Sequence, residues 1–245
     1  MVEAAQAAAS KGGRALTGRR PKSMEVVLDA FFYRLRNAGP WRDLPAEFGP
    51  WESIYGWFRL FAREGIWARM MRMVAKPKGK IRLVDGTHIR CHQSATNPRG
   101  GAAAQAMGAT RGGRNSKIMA LTDSRGMPTA LKLIAGQEYE GKHVTDLLPE
   151  GTRVLVVGDK GFDDDKLRAE IEALGHSHCF PTKANRKEKR AFSRKYYKLR
   201  YAVEHFFRRL KRWGCTATRR DKLAENFLAW VEMASVIEWL IPTVL

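Results

Sequence analysis

The segment YKLRYAVEHFFRRLK, residues 197–211, places four polar residues at a spacing that could do chemistry. Tyr197, Arg200, Glu204 and Lys211 stand at i, i+3, i+7 and i+14. A helix turns by about 100° per residue, which gathers the four into a stripe roughly 60° wide. Leu199, Val203, Phe206 and Leu210 fall on an adjacent face, so the expected helix has a core side and a polar edge. A lone carboxylate among cations on such an edge needs a divalent metal, a phosphate, or both.

Two more carboxylates follow apolar runs. Ile81-Arg82-Leu83-Val84 leads into Asp85-Gly86, and Val154-Leu155-Val156-Val157-Gly158 leads into Asp159-Lys160-Gly161-Phe162. In a mostly parallel sheet the C-terminal strand ends face the functional crevice. A glycine beside the carboxylate leaves room for a hydrated cation and a phosphate. Either Asp alone reads more readily as a turn or cap residue. With Glu204 they make three carboxylates, a set suited to two Mg²⁺ or Mn²⁺ ions about 4 Å apart at a phosphodiester. Hard oxygen donors select these ions over zinc. His88 and His92 are spaced for a metal but read as structural or DNA-proximal, and His176, His178 and Cys179 lack a fourth zinc ligand.

The elements that must position these residues fall into two parts. MEVVLDAFFYRLRN from Met24 has helical apolar spacing and stops at Gly39-Pro40. Pro50 suits the first turn of a second helix through Ala62, and IWARMMRMVA forms a third. These three make a small all-α unit of helix-turn-helix type over 24–76. Trp41, Trp51, Trp57, Phe58 and Trp67 read as its core, and Arg34, Arg36, Arg59 and Arg63 as its DNA-contact candidates. After the linker KPKGK the rhythm becomes that of strands, over 77–245. KIRLVDGTHI is one strand, the stretch from Pro98 to Arg114 a polar loop, and KIMALTDSRGMPTALKLIAG a hairpin turning at Asp123–Gly126. A helical segment near His143–Leu148, the strand RVLVVGDKGF, a helix capped by Asp163 or Asp164 and ending at Gly175, the strand HCFPTK and the basic helix complete the order. That mixed α/β order matches a ribonuclease-H-like sheet with flanking helices, among several topologies.

Lys and Arg outnumber Asp and Glu by 44 to 25, a net charge of +19. Residues 183–222 hold 16 Lys/Arg against Glu188, Glu204 and Asp221, so 13 of the 19 net charges lie in 40 positions. Such concentration suits a polyanionic partner, nucleic acid first; the alternative is a solvated basic face. Three widely spaced cysteines make no disulfide framework and suit a reducing cytoplasm. Residues 1–23 lack an apolar signal segment and read as a disordered extension. The run from Phe227 to Leu245 is interrupted by Glu232, Glu238 and Pro242, and reads as a packed helix instead of a membrane span.

These residues together resemble the bacterial insertion-sequence transposases of the DDE type, in the insertion-sequence-5-like group. Asp85-Gly86-Thr87 is similar to the family's first acidic motif and Asp159-Lys160-Gly161-Phe162 to its second. Tyr197, Arg200, Glu204 and Lys211 keep every spacing of its third, Tyr-x2-Arg-x3-Glu-x6-Lys. The resemblance extends over roughly residues 24–240, including GPWRDLPAEFGPWESIYGWF, RGGRNSKIMALTDSRGMP and ATRRDKLAENF. Tyr201, where Asn is frequent, and an Ala-rich loop at 100–110 depart from it. The resemblance implies a ribonuclease-H-like catalytic domain in which Asp85, Asp159 and Glu204 hold two Mg²⁺ or Mn²⁺ ions for DNA strand cleavage and transfer. It implies DNA contacts for Tyr197, Arg200 and Lys211. Arg208, Arg212, Arg111, Arg114 and Lys160 are further DNA-contact candidates. The implied partners are transposon-end and target DNA and, in the synaptic complex, a second copy of the chain. A nuclease on the same fold and an inactive DNA-binding derivative are the alternative readings.

Overall fold

The computed structural model describes residues 23–241, so the expected extension over 1–23, Ser23 apart, lies outside them. In chain order the first elements are α1 (Met24–Asn37), α2 (Trp51–Arg63), α3 (Ile66–Val74), β1 (Ile81–Arg90), α4 (Gly101–Ala104), β2 (Gly108–Thr110), β3 (Gly113–Asp123) and β4 (Pro128–Ala135). There follow β5 (Leu155–Val157), α5 (Asp165–Ala173), β6 (Ser177–Cys179), α6 (Arg194–Tyr197), α7 (Tyr201–Leu210), α8 (Gly214–Ala217) and α9 (Ala224–Leu240). Among the described residues they form two compact units, one of 23–74, 90–105 and 210–241, the other of 75–89 and 106–209. The chain therefore passes between the units several times, not once near residue 76, and α9 belongs to the helical unit.

In the helical unit, α1 begins where Ser23 accepts a hydrogen bond from the Val26 amide at 3.2 Å and ends at Ala38, whose left-handed backbone returns its N–H to Arg34. Its buried face of Val27, Leu28, Phe31 and Leu35 meets an aromatic core. Phe31 lies edge-on to Phe58 at 5.6 Å, and Phe58 stacks on Trp230 of α9 at 4.0 Å. Phe58 and Trp67 are fully buried, as the aromatic pattern led us to expect, while Trp41, Trp51 and Trp57 are half-buried. Arg34 overturns its own reading as a DNA-contact candidate. It is only 6% exposed, with its guanidinium 5.2 Å from the Trp41 ring and 5.8 Å from Trp230, and Nη1 donates to Cys215 Sγ. A cation so placed supports the aromatic core and is withdrawn from DNA. Arg59 and Arg63 pair with Glu225 and Glu64. No disulfide joins the three cysteines, and burial pushes the Cys215 thiol up to about 12.

The other unit is built on a mixed sheet in the order β2-β3-β1-β5-β6, with β4 also on β3. β5 runs parallel to both β1 and β6, while β2 and β4 pair with β3 antiparallel. Its core gathers Val84, Met119, Leu121, Val156, Phe162, Ile171 and Phe180 among others. The hairpin turns at Asp123–Gly126 as expected, and Asp164 caps α5 by accepting from the Leu167 amide at 3.1 Å.

β1 runs through Asp85 to Arg90, as the strand read over KIRLVDGTHI led us to expect, with the β-branched Thr87 and Ile89 sustaining an extended chain past Gly86. Other elements differ from their sequence pattern. β5 is only Leu155–Val157 of the strand expected over RVLVVGDKGF, because Asp159 turns the chain. The expected helix at 143–148 is a pair of 3-10 turns, Glu140–His143 and Thr145–Leu147. The polar loop before Arg114 contains β2, which pairs with the start of β3. The helix that should run unbroken from Tyr197 is α6, a 3-10 turn at Lys198–Arg200, and then α7. Among the described residues no helix is long and apolar enough to cross a membrane.

Candidate active site

Leu83 is the register partner of Val157; Asp85 lies two residues further along β1, and Asp159 two residues past the end of the parallel β5. The two carboxylates therefore reach the same level of the sheet. Asp85 lies inside β1, not at its end, but beyond the last residue of β1 that β5 pairs. Gly158 allows this approach: a methyl group there would stand 2.7 Å from Phe162, 3.0 Å from Phe180 and 3.1 Å from Val84. Asp159 then turns the chain, its Oδ1 accepting from the Gly161 amide at 2.7 Å, while Phe162 anchors the turn in the core.

Glu204 is brought in by α7, which the β3–β4 turn holds. Gly126, at φ +79°, packs so closely on the Ala202 carbonyl that a side chain would overlap it, and its own carbonyl accepts from Arg209 Nη2 at 3.0 Å. Ala202 and Arg209 are seven residues apart and so share one face of the helix. Glu204 stands on the turn between them.

Arg200 joins the carboxylates. Its Nη1 donates to Asp85 Oδ2 at 2.8 Å and its Nη2 to Glu204 Oε1. Burial opposes the guanidinium charge, but Asp85, Glu204 and Asp159 outweigh it and hold the Arg200 pKa above its ordinary value. Asp85 moves the other way, up to about 6. Burial is the main cause, with the Asp159 and Glu140 charges adding to it; the Gly86 amide and Arg200 oppose it.

Glu140 is the residue that the sequence pattern missed. It belongs to the 3-10 turn between β4 and β5, pairs with Lys117 Nζ at 3.2 Å and lies against Gly86. No local motif marks it, since only the folded chain brings it to Asp85.

Among the described residues, no three His, Cys, Asp or Glu side chains stand ready as they are to hold a metal ion. The donor chemistry nevertheless fits a hard divalent cation: carboxylate oxygens converge, and the Arg200 guanidinium occupies the position of a cation between two of them. The histidines are engaged elsewhere. His88 meets Asn115 Oδ1 at 3.0 Å, His92 meets Ser94, His176 accepts from the Val154 amide, and His178 lies between Arg168 and Glu172.

The candidate DNA-contact residues and the cations around them differ in exposure. Arg111, Arg114, Lys160, Arg208, Lys211 and Arg212 are exposed; Tyr197 is half-buried, edge-on to Phe192 at 5.6 Å. Lys211 falls just after α7 instead of on it. Arg186 is bound to the buried Asp163 and to Asp165, and Arg190 to Asp165. Arg209 and Arg219 are buried, 7% and 0% exposed. Counting Lys189, which donates to the Lys183 and Ala184 carbonyls, and Arg200, at least six of the 16 cations in 183–222 therefore have acidic or backbone partners that a count along the sequence does not see.

Residues 76–239 match the family described as "Transposase DDE domain", and residues 3–71 match "Putative transposase of IS4/5 family". A "Putative transposase for insertion sequence element IS6501" from Brucella ovis is 29% identical over 131 residues, 51% of this chain and 98% of that protein. "Uncharacterized protein y4sN" from Sinorhizobium fredii is 28% identical over 75 residues, 30% of this chain and 60% of that protein. The piggyBac transposase, solved by cryo-EM in a synaptic complex with hairpin DNA, superposes with a TM-score of 0.54 at 12% identity, covering 96% of this chain and 69% of that one. That likeness shows a common fold, the ribonuclease-H-like one expected from the order of elements. With its DDE match spanning about two thirds of its length, the chain belongs to the DDE-domain transposases, enzymes whose general activity is metal-dependent cleavage and transfer of DNA strands.

Proposed function

We propose that Asp85, Asp159 and Glu204 are the catalytic residues of this transposase and hold two Mg²⁺ or Mn²⁺ ions. The observation that carries this reading is the Arg200 guanidinium drawing Asp85 and Glu204 around one cation position, with Asp159 level with Asp85. When bound, the ions activate the attacking oxygen and stabilise the leaving one in an in-line displacement at phosphorus. Asp85 within β1 and Asp159 just past the end of β5 present their carboxylates at one level of the sheet, and α7 delivers Glu204 to them. Arg200 exchanges its carboxylate partners for a DNA phosphate, which its planar fork accepts bidentately.

The sheet unit is the catalytic part and the N-terminal helices are the DNA-binding part. Lys160, Arg111, Arg114, Arg208, Lys211 and Arg212 neutralise phosphates, and Tyr197 packs near the scissile end. The partners are the transposon ends at their inverted repeats, the target DNA, and a second copy of the chain in the synaptic complex. Such DNA lies in the bacterial cytoplasm, in the nucleoid. Strand cleavage and strand transfer on end-containing DNA with Mg²⁺ or Mn²⁺ test the reading. Wild type should cut and join while Glu204→Gln binds the same DNA without cutting; equal cutting by both would refute the assignment.

A further inference from the structure

We propose that Glu140, held by Lys117, is a further positioning residue of the catalytic centre, whose carboxylate draws a divalent cation to Asp85. The proposal rests on the reading of Asp85 as a metal ligand. Gly86 is the first observation. A methyl group on it would stand 2.7 Å from the Glu140 carboxyl carbon and 2.8 and 2.9 Å from its two oxygens. The space that a side chain on Gly86 would take, one residue along β1 from Asp85, is thus filled by a carboxylate whose charge still acts on Asp85, and the glycine is what admits it.

The turn that carries Glu140 is fastened to both acidic motifs. Lys117 of β3, its side chain only 9% exposed, pairs with Glu140 at 3.2 Å and donates to the Glu138 carbonyl at 2.6 Å. Tyr139 donates its hydroxyl to the Gly161 carbonyl at 3.1 Å, next to the Asp159 turn. Glu138 closes the loop by accepting from the Ala135 amide at 3.0 Å and meeting His143 at 2.9 Å.

Stability does not account for this arrangement. Desolvating a Glu–Lys pair costs about as much as its attraction returns, and a second carboxylate beside Asp85 is repulsive. The repulsion turns into an advantage once a divalent cation arrives: the added negative charge then strengthens binding, and Lys117 limits it. Outer groups of this kind typically change metal affinity by about 10- to 100-fold when removed.

The test is Mn²⁺ affinity of the full chain, followed by electron paramagnetic resonance, with and without end DNA. Glu140→Gln should weaken Mn²⁺ binding about tenfold, Glu140→Asp should recover part of it, and Lys117→Met should strengthen it. A purely structural role would lower the unfolding midpoint of all three without these opposite signs. A folded Glu140→Gln that binds Mn²⁺ like wild type overturns the proposal; if that variant does not fold, unchanged affinity in Glu140→Asp and Lys117→Met does so. Asp85→Asn separates the two levels. If it loses Mn²⁺ while Glu140→Gln does not, only the role of Glu140 falls; if it binds normally, the metal site itself has been misassigned.

Discussion

Arg200 and Asp85 are 115 residues apart in sequence, yet Arg200 Nη1 donates to Asp85 Oδ2 at 2.8 Å, with Glu204 on the neighbouring Nη2. A guanidinium placed between two carboxylates competes for the position that a divalent ion would take. Removing it should leave two partly buried negative charges unpaired. Arg200→Met is expected to lose about 1–3 kcal/mol of stability in EDTA, and Mn²⁺ should restore most of it. Thermal unfolding with and without Mn²⁺ measures both effects.

Gly126 fixes α7 against the hairpin, and two costs meet there. Its φ of +79° disfavours a side chain, and a Cβ would also overlap the Ala202 carbonyl. Gly151, at φ +69° with open space around it, carries only the first cost. Gly126→Ala should therefore cost about 2–4 kcal/mol and Gly151→Ala about 1 kcal/mol. Denaturant unfolding compares them; equal losses would mean that the Ala202 contact yields freely.

Asp163 organises the start of the basic stretch. Its side chain is fully buried, pairs with Arg168 at 2.8 Å and Arg186 at 3.1 Å, and accepts from the Lys183 amide at 2.8 Å. Asp163→Ala leaves Arg168 buried without its partner and should cost about 3–5 kcal/mol. Hydrogen exchange should rise at the Lys183 amide, which loses its acceptor.

These contacts show what a linear reading can and cannot supply. The hairpin at Asp123–Gly126 and the cap at Asp164 were legible because each is decided by neighbours within a few residues. The three proposed carboxylates were picked out by local motifs, and the structure places Asp85 inside its strand. Glu140 was not legible, since the turn that carries it reaches Gly86 only through the fold. Nor was the break at Lys198–Arg200, where every residue tolerates an α-helix. Arg34 looked like a surface cation because its burial depends on Trp230, nearly 200 positions away.

Charge counting misled for the same reason, and salt dependence can reveal it. DNA affinity should fall with salt with a log–log slope of about −0.9 per phosphate neutralised. The exposed Lys187 should contribute, so Lys187→Ala should reduce the slope by about 0.9. The buried Arg219 should not; Arg219→Met should lower stability and leave the slope unchanged.

Glu232, in the helical unit, gives a pH dependence of stability. Burial raises its pKa from 4.5 to about 7, against the opposing Arg72 charge and Ala68 amide. The folded chain then binds this proton more tightly than the unfolded one. The associated stability is fully present below about pH 4.5 and is lost as pH rises to about 7, to a total of up to about 3 kcal/mol. Glu232→Gln should flatten that part of the stability–pH curve and be the more stable protein at pH 8, as read by denaturant unfolding at several pH values.

The metal assignment itself is tested most directly by replacing Mg²⁺ with Fe²⁺ in the DNA-bound protein and adding ascorbate, so that hydroxyl radicals cut the backbone beside the bound ion. Cuts should cluster at Asp85, Asp159 and Glu204, disappear with excess Mg²⁺, and weaken in Asp85→Asn. Mg²⁺-sensitive cuts confined to other segments would contradict the three-carboxylate centre.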